Sequence, residues 1–175
     1  MIARLAAPAL ALLLGACALA PPKTTSLPEL SGVPPAFEMS GRLALRQGDR
    51  SEIAKLRWTH KPGGDLWIIA SPLGNEVARI ESGPQGATLT QAGAGGVQAD
   101  SFAELTERAL GVALEPEALA AWLHGGAAGG AAGEWSVTIE EKQRAGSVDI
   151  ARRMSARRGE VTVRLVVDDY RVLQD

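Results

Sequence analysis

From Phe37 onward the chain alternates. In Phe37-Glu38-Met39-Ser40-Gly41-Arg42-Leu43-Ala44-Leu45-Arg46 the apolar side chains fall at every second position, the period of a strand with one wet face and one face against a core. A polar turn over 47–51 leads to a second such segment, in which Ala54, Leu56 and Trp58 share one face and Lys55 and Arg57 the other. Pro62-Gly63-Gly64 closes it as a turn. Further short strands are expected at 66–70, 76–81 and 87–91, each bounded by Gly or Pro. This is a meander of antiparallel hairpins.

The helical signal comes only afterwards. Ser101-Phe102-Ala103-Glu104 is a capping-box pattern, and Phe102, Leu105 and Ala109 then fall on one face of a helix over 101–110. A second helix takes Pro116 in its first turn, carries Leu119, Trp122 and Leu123, and stops at Gly125-Gly126. Residues 125–133 are only Gly and Ala, a connection with no bulky side chain to anchor it. Strands then resume: Trp135, Val137 and Ile139 alternate with polar residues, 148–156 is a weaker strand, and Val161, Val163, Leu165 and Val167 alternate again. Asp168-Asp169 is expected to be a charged hairpin turn before a short last strand at 170–173.

Strands, two helices, strands describe an α+β domain in which a curved antiparallel sheet wraps its helices. The face assigned to the concave side carries Leu43, Leu45, Leu56, Trp58, Ile80, Leu89, Leu119 and Trp122, with Trp135, Val137, Ile139, Val163 and Leu165 from the later segments. Periodicity does not separate a filled core from a cavity, and Trp58, Trp67, Trp122 and Trp135 suit either.

The N-terminus is a separate signal. Arg4 and the amino group precede an apolar stretch over 5–14, long enough for a secretory signal but short of the roughly 20 residues a spanning helix needs. It ends in Leu14-Gly15-Ala16-Cys17, which resembles the lipobox of bacterial lipoproteins. Residues 1–16 are therefore expected to be a signal peptide and Cys17 the lipid attachment site. Two or three chains on that thiol make attachment effectively permanent, where one gives only reversible binding. Ala18 follows, not Asp, and by resemblance to sorted lipoproteins the inner-membrane retention signal is missing. Half of the ten prolines fall in 17–36. That composition reads as a tether, reaching at most roughly 60 Å at about 3.1 Å per residue. Residues 37–175 remain for the domain.

Several chemistries are poorly served. Eighteen basic against twenty acidic residues leave a formal charge of -2, no attraction for nucleic acid. One cysteine and two histidines argue against a disulfide scaffold or a structural zinc site, so no metal is expected. No Gly-rich phosphate loop with a following Lys-Ser/Thr is present, which leaves no cofactor to propose. His60 beside a turn and His124 at a helix C-terminus, where positive charge suits the dipole, read as structural or solvated. With Ser71 outside any nucleophile-elbow context, the chain is not expected to be an enzyme.

Taken in order, Phe37-x3-Gly41-Arg42-Leu43-Ala44-Leu45, Leu56-Arg57-Trp58, Ser71-Pro72-Leu73-Gly74, Leu119-x2-Trp122-Leu123-x-Gly125 and Trp135 followed by alternating strands resemble the LolB family over nearly the whole mature domain. The resemblance implies an incomplete, strongly curved β-barrel with helices over its concave side, and an apolar cavity for acyl chains. It implies an outer-membrane lipoprotein on the periplasmic face, receiving client lipoproteins from a LolA-like periplasmic carrier and passing them to outer-membrane lipid. Leu73, between Pro72 and Gly74, takes the place of the family's exposed leucine, which helps deliver lipoproteins into the membrane. The domain is expected to be a monomer. Two other readings stay open at this stage: a lipid- or small-molecule-binding lipoprotein without handover, and a structural envelope lipoprotein with a filled core.

Overall fold

The computed structural model describes residues 32–126 and 135–174. Cys17, the signal peptide, most of the tether and most of the Gly/Ala run lie outside the described residues. Six strands come first: β1 (Phe37–Gln47), β2 (Arg50–Lys61), β3 (Gly64–Ala70), β4 (Glu76–Gly83), β5 (Gly86–Gln91) and β6 (Val97–Ala99). Helices α1 (Phe102–Leu110) and α2 (Pro116–Leu123) follow, then β7 (Ser136–Ala145), β8 (Val148–Arg158) and β9 (Val161–Val172). All nine strands form one antiparallel sheet in the order β6-β5-β4-β3-β2-β1-β9-β8-β7. The sheet is open, with β6 and β7 as its edges, so the chain between those edges must cross a face of the sheet. It crosses on the apolar side and folds there into the two helices, whose buried faces complete the core.

Alternation places the inward residues in rows across the strands. Tyr170, Met39, Trp58, Trp67, Ile80 and Leu89 follow one another from β9 to β5, and all are buried. Phe37 packs edge-on against Trp58 at 4.9 Å, and Trp67 against Phe102 of α1 at the same distance. Asp65, buried on the same face, accepts from Trp58 Nε1 at 2.6 Å, and His60 Nδ1 lies 2.8 Å from the same oxygen. Packing begins before β1: Pro34 and Ala36 are buried, and the Ala36 carbonyl accepts from Leu173 N–H.

Strand β6 was not expected from the sequence, and three expectations are corrected. Asp168-Asp169 is not a turn, and there is no separate last strand: β9 runs unbroken through both residues. Its register against β1 slips between Ser40 and Gly41, a bulge that takes up Asp168 as the extra residue. That turns Asp168 outward to meet Arg42 at 3.1 Å. On α1, Ala109 is exposed and Thr106 is buried instead. Thr106 is tolerated inside because its hydroxyl donates to the Ala103 carbonyl and accepts from Leu114 N–H, leaving no polar atom orphaned. The helix start is as the sequence implied, with Ser101 Oγ accepting from Glu104 N–H.

His124 is the third correction. It caps α2, but it is buried, with Nδ1 donating to the Ala120 carbonyl and Nε2 accepting from the Tyr170 hydroxyl. Burial disfavours the charged ring and lowers its pKa below the ordinary 6.5; the Ala120 carbonyl opposes this in part, and His60 adds to it. Burial therefore works against the charged form that the helix dipole would favour. Burial also pushes the Tyr170 phenol upward. Because the unfolded chain takes up the His124 proton first as pH falls below about 6.5, stability present above that pH is withdrawn below it. Thermal unfolding between pH 7.5 and 5 should show a falling midpoint, with a smaller fall in His124→Gln. Equal slopes would assign the acid sensitivity elsewhere.

Candidate functional site

The inner face is covered unevenly. At the end carrying the β2–β3 turn, Phe37, Trp58, Trp67, Phe102 and α2 fill it. At the opposite end lie the β1–β2 and β8–β9 turns and the β3–β4 loop, as the register of the pairs requires. There the rows read Ile139, Met154, Leu165, Leu43, Ala54 and then Val137, Ala156, Val163, Leu45. In these rows Leu43, Leu45, Val137 and Ile139 are only half-buried, as are Ile69 and Ala78 nearby. A hollow of about 220 Å³ between Leu45, Gln47, Arg50, Glu52 and the C-terminal end of α1 marks where the helical cover stops.

All thirteen residues nominated for the concave side belong to the apolar core or pack against it. Leu56, Trp58, Ile80, Leu89, Leu119, Trp122, Trp135, Val163 and Leu165 are buried, while Leu43, Leu45, Val137 and Ile139 edge the open end. Trp135 packs against Trp122 at 5.7 Å, with the Arg158 guanidinium 5.0 Å over its ring. Among the cluster residues not nominated are Phe37, Met39, Trp67, Phe102, Met154 and Tyr170. The signal for Trp67 was available, since Asp65, Trp67 and Ile69 alternate with Leu66 and Ile68. The four residues from Leu66 to Ile69 are all apolar and could all pass for core, however, which hid the face. Trp67 and Trp122 each hold a buried indole N–H with no partner among the described residues.

The β3–β4 loop is short and tied. Ser71 N–H donates to the Asn75 carbonyl and Gly74 N–H to the Ser71 carbonyl, each at 2.8 Å. Pro72 and Leu73 thus occupy the two central positions of a hydrogen-bonded turn, and Gly74 follows at φ 96°, where a side chain would be strained. Pro72 presets the first dihedral, so the turn presents Leu73 in a defined position. Its side chain is 90% exposed. A leucine so fully in water, on a braced loop beside the open end of an apolar face, is unusual for a residue whose burial contributes about 1.5–3 kcal/mol.

The family model described as Outer membrane lipoprotein LolB matches residues 35–170. A protein named outer-membrane lipoprotein LolB from an Azoarcus species is 29% identical, covering 93% of this chain and 91% of its own. One of the same name from Chromobacterium violaceum is 38% identical over 71% of this chain and 69% of its own. Among solved structures, a LolA superfamily protein from Nitrosomonas europaea aligns with a TM-score of 0.47 at 7% identity, covering 84% of this chain and 90% of that one.

Proposed function

The chain belongs to the LolB family of outer-membrane lipoproteins, and from that premise we propose that it takes lipoproteins from a LolA-like periplasmic carrier, buries their acyl chains against its concave face and inserts them into the outer membrane. The observation that carries this reading is the apolar face left half-covered at the end where Leu73 stands exposed. A filled structural core has no reason to leave Leu43, Leu45, Val137 and Ile139 part-open together.

The task is transfer, with no covalent step. Exposing a chain of about sixteen carbons to water costs roughly 10 kcal/mol, so a client does not cross the periplasm unaided. The open end admits the chain along the rows from Ile139 to Leu43, and the aromatic end limits how far it enters without displacing α1 and α2. Direction follows from graded affinity: the carrier holds the chains less tightly than this domain, and the domain less tightly than the bilayer. Acylated Cys17 keeps the domain, a monomer, at the periplasmic face of the outer membrane, and the tether up to where Pro34 packs onto the domain gives it reach.

The test is to mix a lipoprotein-loaded carrier with the protein and follow cargo. Wild type should accept it. Leu43→Glu, at a half-buried position that tolerates a polar group, should accept at least about tenfold less, because a carboxylate beside an acyl chain costs a few kcal/mol. Acceptance unchanged in a folded variant would sink the reading. Binding of a free fatty-acyl probe without acceptance from the carrier would favour lipid binding without handover.

A further inference from the structure

The outward face of the sheet next to the Leu73 loop holds a second arrangement that the acyl-chain reading does not use. On β2 the outward residues run Ile53, Lys55, Arg57. Ile53 is 62% exposed, one of the largest apolar exposures after Leu73. Lys55 and Arg57 are exposed too, and neither has a carboxylate partner among the described residues. The carboxylates nearby are already engaged: Asp168 with Arg42, and Glu76 with Arg79, each at 3.1 Å. Arg42, Lys55 and Arg57 line a hollow of about 460 Å³ with Ile68, Ala70 and Gly74 of the loop, and both engaged carboxylates, Asp168 and Glu76, share its wall, so the cations left over for an anion are Lys55 and Arg57. Lys55 Nζ reaches within 4.0 Å of where a Gly74 Cβ would stand.

The order of these groups along the strand matters. Ala70 lies opposite Lys55, so the loop 71–75 continues past Lys55 toward the level of Ile53. At about 3.3 Å per residue, Lys55 sits roughly 7 Å behind Ile53 and Arg57 as far again. A bilayer has the same order, since its headgroup layer adds roughly 5–7 Å outside the hydrocarbon on each side. With Leu73 and Ile53 at the hydrocarbon edge, Lys55 falls at the outer part of the headgroup layer, and Arg57, about 7 Å further out, meets a phosphate by extending its long side chain back toward Lys55.

The geometry points to a headgroup site: the Lys55–Arg57 hollow holds the phosphate of an anionic phospholipid while Leu73 and Ile53 enter the lipid surface, docking the open end of the domain on the membrane. This rests on the reading of Leu73 as membrane-facing. Apolar tips alone would insert at any tilt, and a phosphate contact on one side of the loop fixes the tilt. Each cation near an anionic surface favours docking by about fivefold, the pair by about 30-fold.

The experiment uses the full-length lipidated protein with a polar dye at Ser51→Cys, an exposed outward position beyond Ile53. The protein is reconstituted into vesicles of phosphatidylcholine alone, or with three-tenths phosphatidylglycerol, each carrying nitroxide-labelled lipid. Quenching reports docking. Docking should be stronger with phosphatidylglycerol and should weaken in 0.5 M salt. It should fall about 30-fold in Lys55→Gln/Arg57→Gln and recover in Arg57→Lys relative to Arg57→Gln. Acceptance of cargo from the carrier should be unchanged in these variants. Equal docking on both vesicles, or docking indifferent to the double substitution, would overturn the proposal even if acceptance is normal; loss of acceptance in wild type would instead overturn the functional reading. Competition by inorganic phosphate beyond that of chloride at equal ionic strength would assign the hollow to free phosphate and overturn the lipid source.

Discussion

Replacing Leu73 with glutamate should leave acceptance from the carrier intact and slow insertion into vesicles by about 100-fold. The first half follows from position. Leu73 is 90% exposed and contributes no contact to the core, and a change at such a site alters stability by less than about 0.5 kcal/mol. The second half follows from what the side chain meets at release. Leucine gains about 1.5–3 kcal/mol on entering lipid, and a carboxylate loses a few kcal/mol instead; the low end of the combined difference, about 3–4 kcal/mol, already amounts to about two powers of ten in rate. The measurement has two steps, carrier to variant and variant to liposome. Normal rates in both would make Leu73 an incidental turn residue. If both steps failed and the melting curve moved, the loop would be part of the fold after all.

Gly41→Val should cost about 3–5 kcal/mol, much of the 5–15 kcal/mol a domain has. Gly41 faces inward in the middle of β1, between Leu56 on β2 and Val167 on β9. A Cβ there would stand 2.1 Å from the Val166 carbonyl oxygen, a backbone atom in the next strand. Nothing flexible can give way, so the strands must part at the bulge. The damage is central because β1 and β9 are the pair that joins the two halves of the sheet. Urea unfolding should show a lowered midpoint, and Gly41→Ala most of the same loss. A midpoint near wild type would mean that the β1–β9 register slips without cost. In the sequence this glycine was only one letter of a motif.

The strands were legible because their period is local. Phe37 to Leu45 and Ala54 to Trp58 declare their faces within a few residues, and the same alternation placed Val163, Leu165 and Val167 correctly. Where alternation failed, the local pattern was ambiguous. The β3 residues 66–69 hid Trp67 among apolar neighbours, and Asp168-Asp169 has the composition of a turn. The turn reading lost because a bulge lets one aspartate face outward to Arg42 while the ladder continues. Ala109 and Thr106 exchanged places because a single buried hydroxyl found two backbone partners. No helix pattern shows this, since one of those partners, Leu114, lies outside α1.

By itself, then, the sequence determined the order of the two helices and of most strands, though not β6 or the unbroken β9, the inward side chains of most strands, the Ser101 cap and the exposed Leu73 turn. Each of these depends on forces acting over a few residues: pleat, helical period and preset dihedrals. Only the tertiary structure decided that β9 returns to β1, pairing residues such as Arg42 and Asp168 that are 126 positions apart. Only it decided that the aromatic side chains pack at one end while the Leu43 and Ile139 end stays part-open, and that Lys55 and Arg57 have no carboxylate partner among the described residues. Those outcomes depend on which distant segments share space. Burial and charge pairing are sums over neighbours that a two-residue period does not identify.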